Sequence, residues 1–320
     1  MRRCRPDRFQ LVVATLLAAT VADAIYTSRG WHNSDFVLFA AAGKTMLSGA
    51  WAHTYHDPVI QAAPLELLTA SVLHRIAGWS PAALATATEL VLGGALIATT
   101  RSIVGRRALP LAFVVTAALL LGVVPDAYAT GHFAEPVAGM LWLFAAREAR
   151  AGRVGRAGLL VGASAGFELW GILGITVLAL APSLRRAVLG AGLACATAGL
   201  MLAPFVLGGD FHMFAYHWRV AGGPIHLIVG MGYPFGWPLR LLQGATTIGV
   251  AAGLARLVRT NPAAIFVVPA ATTVVRLLLD PMGTFYYWDP VIEVALLGAA
   301  TAFARRDALR TWVQAAATPA

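Results

Sequence analysis

The chain is 320 residues long, 58% hydrophobic and only 12% charged, with a mean hydropathy of +0.71. That composition excludes a water-facing globular domain and reads as a polytopic membrane protein. The net charge of +9 would point a soluble chain toward nucleic acid, but the arginines here flank apolar runs and act as topology signals, so no nucleic-acid partner is expected.

Arginines at 2, 3, 5 and 8 precede an apolar run from Phe9. The pattern also fits a signal peptide with a small-x-small site at Ala22-Asp23-Ala24, but the apolar remainder of the chain favours an uncleaved first span over 9–27. Further spans are expected at 80–100, 108–125, 132–146, 157–168, 169–183, 187–207, 236–256, 262–279 and 286–304. The fifth and sixth are too short to cross alone and read as a broken pair. The expected fold class is therefore all-α, a transmembrane helix bundle of about ten spans. It forms one integral membrane domain over 1–310, followed by a cytoplasmic tail over 311–320 that ends disordered or at the interface.

The first outer loop, 28–79, carries two amphipathic stretches, at about 34–48 and 64–78. The second must lie along the membrane surface, because counting it as a span would turn Arg101 to Arg107 outward. On this count every arginine except Arg29, Arg75, Arg219, Arg240 and Arg276 is cytoplasmic, as are both termini. All eight histidines fall on the outer side with most of the acidic residues, so the chemistry is expected there. Two cysteines, Cys4 and Cys195, supply neither a disulfide framework nor a thiolate metal site.

Within the loop, Asn33 or Ser34 can cap a helix that Gly49 ends, which puts Asp35 in the first turn. The helix dipole favours a carboxylate there, as a general base requires, and the same position suits a plain capping residue on a solvated helix. "AHTYHDP" brings His53, His56 and Asp57 close together. Their spacing is too loose to indicate a divalent metal, and Asp57, an alternative base, precedes a proline as turn residues do.

These elements in this order resemble the GT-C superfamily of membrane glycosyltransferases, in particular the bacterial polyprenyl-phosphate-mannose-dependent mannosyltransferases. The resemblance rests on "SDF" opening a helix after the first span, on "LSGAWAHTY" followed by "QAAPLELLTASVL", on "AGLLVGASAGFELWGILGITVLALAPSLRR" and on "DPMGTFYYWDPVIEVALLGA". Two positions depart from the pattern: Gln61 to Pro64 reads "QAAP" where an aromatic and two prolines are more usual, and Glu168 stands where a lysine is usual.

The resemblance implies transfer of a sugar, mannose first and arabinofuranose next, from a polyprenyl-phosphate donor. The acceptor is a glycolipid or envelope glycan on the outer face of the cell membrane, and membrane lipid surrounds the site. It implies Asp35 as general base and requires no cofactor. Such chemistry needs cationic groups on the departing phosphate and an apolar groove for the lipid tail. Candidates for donor phosphate or sugar are His217 and Arg219 in an aromatic outer loop, Arg276 inside the ninth span, His132, His56 and Tyr287. Arg276 also suits an ion pair with Asp280 or Glu293, and Tyr287 an interfacial aromatic belt. Glu135 and Glu168, with Asp57, are secondary or acceptor candidates. Two alternatives stand beside this reading. A transporter or flippase would show paired repeats, and none is visible; a catalytically inactive lipid-binding scaffold would fit the glutamate at 168.

Overall fold

The computed structural model describes residues 8–28, 34–105 and 109–317. Arg2, Arg3, Arg5, Arg29, Asn33, Arg106, Arg107 and the last three residues, on which parts of the topology and capping expectations rest, lie outside the described residues.

Helical segments occupy each stretch read as a span. They are α1 (Arg8–Thr27), α4 (Pro81–Val104), α5 (Leu109–Thr130), α6 (Ala134–Arg150) and α7 (Val154–Phe167), then a 3-10 segment (Leu169–Leu180), α8 (Leu184–Gly208), α9 (Trp237–Val258), α10 (Ala264–Leu278) and α11 (Asp289–Ala317). Among the described residues four helices are long and apolar enough to cross a bilayer: Pro81–Val104, Ala112–Thr130, Leu184–Gly208 and Trp237–Val258. Four shorter apolar helices accompany them. Leu200 and Leu207 on α8 and Leu241 and Leu257 on α9 are exposed, as residues facing lipid would be. The protein is an integral membrane protein of helical architecture.

The loop after α1 folds as two helices, α2 (Ser34–Met46) and α3 (Pro64–Ala77), packed on one another. Their crossing is close because position 43 is glycine: a Cβ there would stand 2.1 Å from the Leu67 carbonyl oxygen. Proline opens α3 at its first position, and Gly78, at φ 62, closes it while donating its N–H to the His74 carbonyl at 2.8 Å. α4 begins the same way, with Pro81 after Ser80, whose hydroxyl accepts the Ala83 N–H at 3.4 Å.

α7 and α8 are joined through a glycine stripe. Gly158, Gly162 and Gly166 recur every four residues on α7, and a Cβ at any of them would come within 2.5 Å of Gly190, Thr197 or Met201 on α8. α7 then breaks at Glu168, whose backbone is extended (φ −146, ψ 142), and the chain continues as the 3-10 segment. Trp142 of α6 pins that break, its indole N–H reaching Ser164 Oγ (2.9 Å) and the Gly171 carbonyl (3.0 Å). Extended backbone at 168 also bridges antiparallel to Ala62, and the Ala63 N–H donates to the Phe167 carbonyl at 3.0 Å. The loop before α3 is thereby fastened to the break.

Two features differ from the sequence expectations. α4 contains a π-helical turn at Glu89–Gly93, with Glu89 buried and accepting from Thr20 Oγ1 at 3.2 Å. A two-stranded ribbon, β1 (Trp218–Arg219) with β2 (Pro234–Phe235), organises the loop between α8 and α9. Helix α11 runs past Arg310 to Ala317.

Candidate functional site

Asp35 stands in the first turn of α2, half exposed. Its Oδ2 lies 3.2 Å from Nε2 of His132, the residue that connects α5 to α6. The imidazole is held on two further sides. Tyr286 stacks on it, with ring centroids 4.5 Å apart and planes at 17°, and Phe39 meets it edge-on at 5.4 Å. A single ring orientation is therefore enforced by packing as well as by the aspartate.

From His132 the polar groups run inward. One ligand-type atom each of His132, Glu135 and Glu168 lies within 4.8 Å of the others. Glu135, in the first turn of α6, is fully buried, and neither of its carboxylate oxygens has a hydrogen-bond partner. Glu66, in the first turn of α3, accepts the Phe133 N–H at 2.8 Å through Oε1, while its buried Oε2 has none. Burial holds the Glu66 carboxyl well above the ordinary carboxylate range, and the Phe133 N–H offsets only part of that.

Beyond Glu168 lies a cavity of about 400 Å³. Arg276 of α10 lines it, its guanidinium 4.2 Å from the Trp170 ring centroid and 4.5 Å from that of Tyr287. Nη2 pairs with Asp280 at 3.2 Å, while the buried Nη1 has no partner. Gln243 braces this pair by donating to the Arg276 carbonyl (3.0 Å) and to Asp280 Oδ2 (3.4 Å). On the opposite wall Gln61 accepts the Trp218 indole N–H at 2.7 Å, and Arg240 lies over Trp237. Apolar groups of the 3-10 segment, α8 and α9 (Leu173, Ala198, Gly244) complete the lining. α8 and α9 both pack on the 3-10 segment but not broadly on each other, so the cavity sits behind a seam between two lipid-facing helices.

Of the residues singled out from sequence, Asp35, His132, Glu135, Glu168, Arg276 and Tyr287 are gathered into this one region. His56 is not. It hydrogen-bonds to Asp210, which also lies 3.4 Å from His212, forming a solvent-exposed cluster over an open cleft. Asp57 accepts the Val59 N–H at 2.9 Å in a turn and lines the same cleft. His217 and Arg219 are exposed, and Arg219 donates to the Gly232 carbonyl at 3.3 Å across the ribbon. Neither lines the cavity.

Sequence reasoning missed Glu66, Arg240 and Gln243. The last two carried a readable signal: an arginine and a glutamine three residues apart, hence on one face, in the first turns of a largely apolar helix.

No protein-family model matches the chain, and no curated protein matches it in sequence. Among solved structures the chain is similar to ArnT from Cupriavidus metallidurans in the apo state, with a TM-score of 0.53 and 16% identity over 90% of this chain. The match covers 59% of ArnT, so the chain spans about three-fifths of that protein's length. At this identity the likeness establishes a shared fold.

Proposed function

We propose that this protein is a GT-C membrane glycosyltransferase that moves a sugar from a polyprenyl-phosphate donor to a hydroxyl of a lipid or glycan acceptor. ArnT, whose fold it shares, is a GT-C family glycosyltransferase that transfers 4-amino-arabinose. One observation carries the reading: in that fold, an aspartate in a first helical turn bonds to His132, which stands beside Glu168 at the wall of a cavity that also holds a buried arginine with an unpartnered N–H.

Asp35 takes the proton from the acceptor hydroxyl as the bond to the anomeric carbon forms, and the bond to the donor phosphate breaks on the opposite face. His132 holds the carboxylate in place. The free N–H of Arg276 receives a phosphate oxygen, with Tyr287 and Trp170 fixing the plane of its guanidinium. Phosphate leaves as the dianion-like lipid phosphate, so a fixed cation in a dry site is the group this step needs. The aromatic and apolar wall accepts the sugar and the first isoprene units, and the seam between α8 and α9 gives the rest of the polyprenol a way into the bilayer. The sequence motifs favour mannose as the sugar, with arabinofuranose next. The reaction takes place on the outer face of the cell membrane.

The test supplies membranes containing the protein, or its Asp35→Asn variant, with a radiolabelled polyprenyl-phosphate sugar and a lipid acceptor extract. Transfer by the parent protein and its loss in the variant is the expected result. Equal transfer by both removes Asp35 as base, and transfer by neither favours the transporter or scaffold reading.

A further inference from the structure

We propose that His132, Glu135 and Glu168 bind a divalent cation, beside the base and on the path to the donor phosphate. The proposal deepens the glycosyltransferase reading and rests on it only for what the ion would do.

Four carboxylates, Asp35, Glu66, Glu135 and Glu168, converge on a region where the nearest cation, Arg276, already pairs with Asp280. Glu135 carries the inference. Its side chain is fully buried, both oxygens are without partners, and it sits within 4.8 Å of ligand atoms of His132 and Glu168. A buried carboxylate with no hydrogen-bond donor is costly, and native interiors keep one where something absent from the protein chain completes it. Glu66 repeats the pattern with its own buried, unpartnered Oε2.

The geometry suits a metal better than a water or an organic cation. One imidazole and two carboxylates from three elements offer mixed nitrogen and oxygen donors of the kind that Mn²⁺ and Zn²⁺ accept. Asp35 behind the His132 ring reproduces the carboxylate–histidine arrangement that orients a ligand imidazole. Glu168 lies on the cavity wall, so an ion there faces the space in which the donor phosphate would sit, opposite the free N–H of Arg276. Two cationic points would then flank the leaving group, where a lysine at position 168 would supply one of them directly.

The full-length protein in detergent, stripped with a chelator, is titrated with Mn²⁺ and followed by electron paramagnetic resonance. One ion per chain is expected, with affinity falling about 10-fold or more in Glu135→Gln and Glu168→Gln, and by about 10-fold in Asp35→Asn, which acts through the imidazole. Glu168→Gln, at the cavity wall, keeps the test open if Glu135→Gln fails to fold. Asp210→Asn should leave binding unchanged. Absence of stoichiometric binding, binding indifferent to both glutamate changes, or binding lost in Asp210→Asn, which would place the ion at His56, Asp210 and His212, each overturns the proposal. The two readings fail separately. Sugar transfer that persists in chelator without Mn²⁺ binding retires the ion and keeps the transferase; bound Mn²⁺ in a protein that transfers no sugar does the reverse.

Discussion

His132 and His56 each face an aspartate from a distant part of the chain, and the two pairs sit in opposite surroundings. His56, Asp210 and His212 are exposed, drawn from two loops, and satisfy one another over an open cleft. His132 is 12% exposed, clamped between Tyr286 and Phe39, and backs onto Glu135, neither of whose buried oxygens has a hydrogen-bond partner. The same residue types therefore do different things. In the outer cluster water screens the charges and the pairing is worth little. In the inner one low polarisability makes every unpaired group expensive, and such cost is retained at sites that bind or react.

The comparison breaks most sharply on Asp35. Asp35→Asn keeps the shape and a contact to His132 but cannot accept a proton, and transfer should fall by roughly 10²–10⁴-fold with little change in melting temperature. His56→Gln, in the same assay, should transfer at close to the parent rate. If the two variants lose activity equally, the inner and outer clusters are not functionally distinct.

Arg276 gives the next largest effect, and a double one. Arg276→Gln strands Asp280 in the interior with only Gln243 and the Met282 N–H for company. Breaking a buried pair in this way costs about 3–5 kcal/mol, so thermal unfolding in detergent should drop along with transfer. Arg276→Lys separates the two. It restores the charge and most of the stability but loses the planar fork held between Trp170 and Tyr287, so donor turnover should stay depressed while the melting temperature recovers.

A smaller effect tests the lipid side. Ala198→Phe narrows the seam between α8 and α9 without touching a charged group. It should raise KM for a long-chain polyprenyl donor severalfold and leave a short-chain analogue less affected. Equal change for both donors would place the tail elsewhere.

The sequence was informative in inverse proportion to how far apart the interacting residues lie. Apolar runs bounded by arginine, proline and glycine locate the helices because span length and chain termination are local properties. α2 and α3 are legible for the same reason, through Asp35, Pro64 and Gly78. The candidate site is assembled from positions 35, 66, 132, 135, 168 and 276, and no local pattern says that these meet. Histidines 53 and 56 attract notice because they are neighbours in sequence, and their rings do meet edge-on, yet the carboxylate that His56 engages is Asp210, 154 residues away. The two departures from the mannosyltransferase pattern look unrelated when read along the chain. In three dimensions "QAAP" and Glu168 are one place: Ala62 bridges Glu168, and Gln61 lines the cavity that Glu168 borders. A change of substrate group at that wall would alter both together.

The smallest expected effect belongs to the outer cluster and depends on pH. The hydrogen bond from His56 holds the Asp210 carboxyl below its ordinary value of 3.8, with the charge of His212 adding to the shift. A carboxylate whose folded pKa is depressed contributes stability that is fully present above the unfolded value and is lost as pH falls through the folded one. The contribution should therefore be constant from neutral pH down to about 4 and decline below that. Because the pair is exposed, the loss should also shrink in high salt. Melting curves of the parent protein and Asp210→Asn should be separated by a small, constant gap at neutral pH that closes under acid. A gap that instead persists below that window would mean Asp210 is held by packing, and that the two histidine clusters differ less in kind than their exposure indicates.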